Sequence, residues 1–158
     1  MRIWRDGQLE VRNPHSAFRN QVVRLPSEAE WERAARGTDG RIYPWSGDLD
    51  PGRANYAETG IGTTSAVGMF PAGVSPCGAL DMAGNVWEWC ATKRQGNYQD
   101  YRDDNDLAGG DARVVRGGSF FYGRRYVRCA SRFSRDPLDR YDIIGFRVVL
   151  ASPWSSGL

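Results

Sequence analysis

The alternation of hydrophobic and polar residues predicts one helix in the first quarter of the chain. In the stretch SEAEWERAARG, residues 27–37, Trp31 and Ala35 lie four positions apart and share an apolar face at the helical period. Ser27 can cap the helix, and Glu30 three residues later completes a capping box. We therefore expect a short amphipathic helix that packs on the rest of the protein through Trp31.

Shorter alternating stretches predict β-strands that are joined by long loops. The predicted strands are 86–89, 113–116, 126–132 and 144–150, the last of which ends in the buried residues Val148, Val149 and Leu150. Residues 38–80 are rich in Gly, Pro, Ser and Thr, and residues 93–112 are polar and acidic, which is typical of ordered loops. Residues 1–24 predict an irregular segment with turns at Asp6-Gly7 and Asn13-Pro14.

Length and composition favour one loop-rich globular domain, residues 1–158. The chain has 158 residues, of which 41% are hydrophobic and 19 are glycine. Its 21 basic and 19 acidic residues give no overall attraction to nucleic acid or membrane. No apolar run reaches the roughly 18 residues that span a bilayer. The N-terminal MRIWRDGQLE lacks the apolar core of a signal peptide, so a cytoplasmic location is the default expectation. We also expect the protein to be a monomer.

Cysteine and histidine are too few and too scattered for the common catalytic and metal sites. The three cysteines, Cys77, Cys90 and Cys129, are odd in number and far apart, which argues against a disulfide framework and a CxxC zinc site. The only histidine, His15, excludes a multi-histidine metal centre, and no motif around it indicates a catalytic role. We expect His15 to be solvated.

One short turn holds two carboxylates at a spacing that suits a hard cation. Asp81 and Glu88 bracket the backbone carbonyls of Gly84 and Val86, and oxygen ligands at such close spacing suit calcium. An acidic pair in a turn can equally accept hydrogen bonds from turn amides or from arginines. The spacing leaves both interpretations open.

The segment 117–143 combines many aromatic and arginine side chains with no helical or strand period. Loops rich in Tyr, Arg, Ser, Gly and Asp are typical of a binding surface, although the same aromatic residues could instead pack a loop-rich core. The arginines raise the alternative of nucleic-acid binding. Asp136, Asp139 and Asp142 interleave with them and interrupt a phosphate-binding stripe, so we expect no nucleic-acid partner.

Seven motifs in this order resemble the formylglycine-generating enzyme (sulfatase-modifying factor) family. They are RLPSEAEWERAARG, YPWSG, Ala54-Asn55, GALDMAGNVWEW, RVVRGGSF, RCASR and GFRVV. The resemblance covers residues 24–150 and implies an α+β, C-type-lectin-like fold with much irregular structure. It also implies a structural calcium site at the GNVWEW turn, formed by the side chains of Asp81 and Glu88 and the carbonyls of Gly84 and Val86.

The chain departs from this family where the enzymes carry out their chemistry. The oxidase has a pair of cysteines just after GGS that bind copper and activate oxygen, whereas residues 120–123 here are Phe-Phe-Tyr-Gly. A two-thiolate copper site cannot be built there, and one histidine is too few for the related iron-dependent sulfoxide synthases. The helix that the family usually has between segments matching residues 23 and 24 is missing, so the domain is shortened on its N-terminal side. We expect no copper and no enzyme activity.

One branch of the family resembles the chain more closely, the variable proteins of diversity-generating retroelements. In that branch a reverse transcriptase rewrites adenines in a C-terminal repeat, and asparagine codons (AAC) are the usual targets. Their replacement gives NNC codons, which cannot encode Lys, Glu, Gln, Met or Trp, and none of these five residue types occurs from 120 to 143. The resemblance therefore implies that residues 114–150 are a variable region on a fixed framework.

The resulting prediction is a non-catalytic protein that binds an unidentified ligand, expected to be a protein, through a diversified C-terminal surface. The expected ligand-facing residues are Phe121, Tyr122, Gly123, Arg125, Tyr126, Ser131, Phe133, Ser134, Leu138, Asp139, Tyr141, Asp142 and Ile143. The arginines expected to brace the framework through carboxylates and carbonyls are Arg124, Arg128, Arg132, Arg140 and Arg147. Trp87 and Phe146 are expected to be buried framework residues. The alternatives are a divergent oxidase of the family and an accessory domain with a fixed protein partner.

Overall fold

Two small β-sheets, one α-helix, two short 3₁₀ helices (Ala57–Thr59 and Pro71–Gly73) and long ordered loops make up the described part of the protein, which is the predicted α+β architecture. A computed structural model of the chain describes residues 21–151 in full and the backbone of residues 2–5 and 8–11. The strands are β1 (Arg2–Arg5), β2 (Gln8–Val11), β3 (Val22–Arg24), β4 (Trp87–Lys93), β5 (Arg113–Arg116), β6 (Arg132–Arg135), β7 (Ile144–Gly145) and β8 (Val149–Ala151). One sheet has the order β1-β2-β3-β8 and is antiparallel throughout. The other has the order β6-β5-β4-β7, in which only the β4–β7 pair is parallel.

The helix α1 (Glu28–Arg36) begins at the predicted capping box. The Ser27 hydroxyl accepts a hydrogen bond from the Glu30 amide at 3.1 Å, and the Glu30 carboxylate accepts one from the Ser27 amide at 2.8 Å. These two bonds satisfy amides that the first turn of a helix leaves without partners. Trp31 and Ala35 are buried on the same face, so this part of the sequence prediction is confirmed.

The main core lies between α1 and the strands β4 and β5. Its buried members are Trp31, Ala35, Met82, Cys90, Val114 and Cys129. The indole Nε1 of Trp31 donates a hydrogen bond to Glu88 Oε2 at 2.6 Å, so the largest residue of the helix has its one polar atom satisfied inside the core. The helix thereby holds β4 in a fixed position beneath the loops that follow β5.

The predicted strand 126–132 is wrong, because most of that segment forms turns. The Tyr126 amide donates to the Gly123 carbonyl at 3.0 Å, and the Ser131 amide donates to the Arg128 carbonyl at 2.9 Å. Pairing with β5 starts only at β6, where Phe133 lies opposite Val115. The backbone amides that a longer strand would pair with β5 instead form hydrogen bonds within local turns.

The predicted buried end of the strand 144–150 is also wrong. Phe146 is 69% exposed, and Val148 and Leu150 are exposed as well. The side chain between the first two, Arg147, turns inward and donates to the carbonyl oxygens of Leu80 and Asp81. Because neighbouring side chains of an extended segment point to opposite sides, burial of Arg147 leaves Phe146 and Val148 outside.

The first 24 residues contain more regular structure than the sequence predicted. Strands β1, β2 and β3 pair there in an antiparallel arrangement, where we expected an irregular segment. His15 and the turns at 6–7 and 13–14 lie outside the described residues. Within the described part of the chain, no helix is long and apolar enough to cross a membrane.

Candidate ligand-binding surface

A buried tryptophan at the start of β4 is the base of a group of aromatic rings that reaches the protein surface. Trp87 is 3% exposed, and its ring centroid lies 5.9 Å from Tyr122, 6.3 Å from Tyr126 and 6.2 Å from Phe133. Phe121 stands edge-on to Tyr122 at 5.6 Å. We refer to these five residues as the aromatic cluster. Such ring separations are within the range of favourable aromatic contacts, so the cluster is held as one unit on a rigid strand.

The glycine pair after β5 turns the chain from the core to this surface. Gly117 and Gly118 have φ angles of +93° and +77°, a region that side chains other than glycine rarely adopt. A Cβ on Gly118 would also lie only 2.8 Å from the Tyr126 carbonyl oxygen. Just beyond the turn Phe120 is buried and Phe121 is 70% exposed. The pair therefore forms a tight turn that directs Phe120 inward and Phe121 outward.

A buried charge network holds the other side of the cluster in place. The Glu28 carboxylate, on the first residue of α1, accepts bonds from Arg132 Nε at 2.8 Å and Nη2 at 2.6 Å. Arg116 Nη1 lies 3.2 Å from the same carboxylate. The two arginines belong to the paired strands β5 and β6, so one carboxylate fixes both strands against the helix. Phe133 follows Arg132 directly and is positioned by this network.

A second loop, residues 136–143, continues the surface beyond β6. The Asp136 side chain accepts a hydrogen bond from the Leu138 amide at 2.9 Å, and its carbonyl accepts one from the Asp139 amide at 2.9 Å. The resulting turn leaves Leu138 80% exposed. Tyr141 is exposed too, and the Arg135 guanidinium lies over its ring at 5.4 Å. This loop therefore extends the apolar surface of the cluster rather than closing over it.

All thirteen sequence-predicted ligand-facing residues lie at least partly at the surface. The exposed ones are Phe121, Arg125, Phe133, Leu138, Tyr141 and Asp142, and the half-buried ones are Tyr122, Gly123, Tyr126, Ser131, Ser134, Asp139 and Ile143. By contrast Val127 and Cys129, in the same stretch, are fully buried. Phe121, Tyr122 and Tyr126 contact one another in turn, and Phe133 joins them through Trp87, so the structure brings much of the aromatic set together. The ligand-facing role of the thirteen stays a prediction.

The predicted bracing arginines divide into two groups. Arg132 and Arg147 reach into the protein and pair with Glu28 and Glu88. Arg128 and Arg140 are exposed and donate to nearby carbonyls. Arg124 is exposed as well, and its Nε lies 3.6 Å from Oε1 of Glu58.

Trp87 is buried, as expected of a framework residue, and its ring is also the base of the aromatic cluster. Sequence reasoning missed one residue of the surface. Arg135 was not among the thirteen, although its guanidinium lies 4.8 Å from the Phe133 ring. The signal for Arg135 was its position two residues after Phe133, because residues i and i+2 of a strand share one face.

The two carboxylates of the predicted calcium site accept hydrogen bonds from other groups. Glu88 Oε1 accepts from Arg147 Nη2 at 2.6 Å, and Glu88 Oε2 accepts from Trp31 and from Arg147 Nε. Asp81 Oδ2 accepts from the Gly68 amide at 2.7 Å. Glu88 thus forms an ion pair with an arginine, which is one of the two interpretations that the spacing of Asp81 and Glu88 left open. Calcium binding at Asp81, Gly84, Val86 and Glu88 would require Glu88 to give up these donors, and it stays a prediction for measurement.

The cysteines are placed poorly for thiolate chemistry. All three are free, and only Cys77 is exposed. Burial raises the pKa of the Cys129 thiol to about 11 and raises the pKa of Cys90 as well. Because the thiolate is the form that binds soft metals and attacks electrophiles, two of the three cysteines are held in the unreactive form at neutral pH.

Comparisons with known proteins agree with the fold and the motifs. Residues 6–152 match the model of the sulfatase-modifying factor enzyme 1-like domain. The chain is 38% identical over 156 residues to the formylglycine-generating enzyme of Streptomyces coelicolor, which covers 85% of this chain and 48% of that protein. It is 35% identical over 140 residues to the inactive C-alpha-formylglycine-generating enzyme 2 of Bos taurus, which covers 78% and 42%. The chain thus spans about half the length of the curated relatives that it matches.

Among solved structures, the chain is similar to variable protein 1 of Treponema denticola. The two superpose with a TM-score of 0.68 at 32% sequence identity, and the match covers 86% of this chain and 50% of the other. The comparisons confirm the resemblance that the motifs indicated, both to the formylglycine-generating enzymes and to a variable protein.

Proposed function

The chain belongs to the sulfatase-modifying factor enzyme 1-like family, and from that premise we propose that it is a non-catalytic member that binds a ligand, expected to be a protein. The binding surface is formed by the aromatic cluster and the loop 136–143. Within the variable region 114–150, the residues that vary are the exposed and half-buried loop positions between 121 and 143, and the framework that displays them does not vary. The similarity to a variable protein supports this role.

The observation that carries the proposal is the exposure of large apolar side chains in the aromatic cluster and in the loop 136–143. Phe121, Phe133, Leu138 and Tyr141 are all exposed within 21 residues of one another in sequence. Contiguous apolar surface on a protein is typical of an interaction site. Rigid aromatic residues also provide much of the binding energy of protein interfaces.

Residue types in the loops support diversification of this surface. From 120 to 143 the chain has none of the five residue types that NNC codons cannot encode. Within the same stretch the buried residues Val127 and Cys129 alternate with exposed ones. A diversifying system that preserves the fold must leave the buried positions unchanged.

The DNA around the gene provides the test of this proposal. We expect a near-copy of the codons for 114–150, next to a reverse transcriptase gene, that differs from the gene only at adenines. Every differing codon should encode one of the exposed or half-buried loop residues, and the codons for Val127 and Cys129 should be identical. A repeat that differs at those two codons, or the absence of any such repeat, would contradict diversification.

A divergent oxidase is the second candidate, favoured by the 38% identity to a formylglycine-generating enzyme. Against it, residues 120–123, which follow GGS, contain no cysteine, and Cys129 is buried with a raised pKa. The two candidates differ in one measurable product, the oxidation of a peptide cysteine.

A further inference from the structure

Two arginine side chains lie on the aromatic cluster and its continuation. The Arg125 guanidinium carbon is 4.9 Å from the centroid of the Tyr126 ring. The Arg135 guanidinium carbon is 4.8 Å from the Phe133 centroid and 5.4 Å from the Tyr141 centroid. Tyr126 and Phe133 both contact the Trp87 ring. The surface therefore presents two cations that rest on one connected set of rings.

Neither of these cations has a carboxylate partner within the described part of the chain. Most other arginines there are paired or bonded: Arg116 and Arg132 with Glu28, and Arg147 with Glu88. For Arg125 and Arg135 no ion pair and no side-chain hydrogen bond to a described residue is formed. Both guanidinium groups therefore have N–H donors that a carboxylate of a partner can accept from.

Stacking prepares both groups to bind a carboxylate. A guanidinium that lies on an aromatic ring keeps its N–H groups at its edge, where a planar carboxylate can accept two parallel hydrogen bonds. The ring below also restricts the side chain, so less conformational entropy is lost on binding. A ligand that covers the rings removes water from the same groups and strengthens the ion pairs.

We propose that the ligand of this surface is a polypeptide with two acidic side chains that pair with Arg125 and Arg135, on either side of an apolar group that contacts the aromatic cluster. This inference rests on the proposed function, since it names the chemistry of the partner at the same surface. Asp136 and Asp142 are exposed in the same loop region as Arg135. They would repel a nucleic acid, which carries a charge at every phosphate, whereas a polypeptide can space its acidic residues to avoid them.

A selection from a library of random linear peptides displayed on phage tests the inference with the full chain as bait. Binders are synthesised with their acidic residues intact or replaced by the matching amides. Their affinities are measured for the wild type, for R125Q/R135Q and for R33Q/R102Q. Arg33 and Arg102 are exposed arginines that likewise have no side-chain partner among the described residues but do not lie on the cluster, so the second pair is a matched control for lost charge. An F121S/F133S variant reports whether a binder uses the aromatic surface.

Enrichment of Asp and Glu in the binders is the expected result, with affinity falling roughly tenfold or more in R125Q/R135Q and in the amide peptides. R33Q/R102Q should bind as the wild type does, and high salt should weaken the wild-type complex. If the peptides lose affinity for F121S/F133S but not for R125Q/R135Q, the inference of an acidic ligand is wrong, whereas the proposed binding surface is supported. Binders that ignore the aromatic variant as well count against the proposed function itself. A random single-stranded oligonucleotide that binds more tightly than every acidic peptide, or a library that yields no binder, also overturns the inference.

Discussion

Arg116 is fully buried, and its guanidinium lies 3.2 Å from the carboxylate of Glu28, 88 residues earlier in the chain. The same guanidinium reaches Glu32 at 2.6 Å and the Cys129 carbonyl at 2.7 Å. One side chain thereby connects the helix α1, the strand β5 and the start of the loop surface. The network is internal to the framework.

Removal of Arg116 should therefore destabilise the protein strongly. We expect Arg116→Met to lower the free energy of unfolding by about 3–5 kcal/mol, because Glu28 would be left as a buried charge with fewer partners. The partly exposed pair Arg53–Asp50, which shares no residue with this network, is the control, and Arg53→Gln should cost less than about 1 kcal/mol. Urea unfolding followed by tryptophan fluorescence measures both. Equal costs for the two variants would show that the buried network adds nothing beyond a surface pair.

The helix could be predicted from the sequence because every signal for it is local. Ser27 and Glu30 complete each other's bonds within one turn, and Trp31 and Ala35 repeat at the helical period. None of these features depends on the position of distant residues. The fold class was predictable for a different reason, since it came from the resemblance of long motifs.

Burial of the C-terminal strand could not be predicted in the same way. The run Val148-Val149-Leu150 has the composition of a buried strand, but the side that faces the core is decided by Arg147. Its partner, Glu88, lies 59 residues away, and nothing in the local pattern indicates that pairing. The turn-rich segment before β6 was missed for a related reason, because its hydrogen bonds to Gly123 and Arg128 compete with strand pairing.

Chemical modification should separate the three cysteines. In the native protein at pH 8 we expect iodoacetamide to modify the exposed Cys77 and to leave Cys90 and Cys129 unmodified. Burial raises the pKa of both inner thiols, that of Cys129 to about 11, so almost no thiolate is present. Peptide mass spectrometry reads the three positions, and the same reaction in urea should modify all of them. If Cys129 of the native protein is modified as fast as Cys77, the Cys129 thiol is accessible, and the conclusion that it is held in the unreactive form is wrong.

The proposed lack of oxidase activity can be tested with a peptide substrate. We expect no formylglycine when the protein is incubated with copper, oxygen and a sulfatase-type cysteine peptide. The physical reason is that residues 120–123 provide no thiolate and that Cys129 is buried. The Streptomyces coelicolor enzyme, run in parallel, is the positive control. Mass-spectrometric detection of the aldehyde with this chain, above a reaction without protein, would establish the second candidate function.

Calcium dependence of stability tests the site that the resemblance implies. The site predicts a wild-type melting temperature that is higher in calcium than in chelator, and Asp81→Ala should remove the difference. A wild-type melting temperature that is the same in both solutions would show that Glu88 keeps its ion pair with Arg147 and binds no calcium. In that case Asp81→Ala should still lower the melting temperature equally in both solutions, since it removes the bond to the Gly68 amide. Differential scanning fluorimetry is sufficient for this comparison.

The most informative comparison is between the base of the aromatic cluster and the rings above it. Trp87→Ala should cost about 3–5 kcal/mol, because the residue is buried and its removal leaves a cavity beneath three rings. The combined change of Tyr122, Phe133 and Tyr141 to Ser should cost less than this and leave the protein folded, because these side chains are exposed or half-buried.

Phe146→Ala is the matched control for the loss of an exposed aromatic ring away from the cluster. With 69% of the residue exposed, the change should alter the free energy of unfolding by only about 0.5 kcal/mol. Chemical unfolding gives the order of the three costs, and the peptides selected on the wild type report binding. A folded triple variant that no longer binds identifies the rings as ligand contacts. If the triple variant unfolds while Trp87→Ala remains stable, the exposed rings are the true core of this region, and a surface that tolerates diversification cannot exist there.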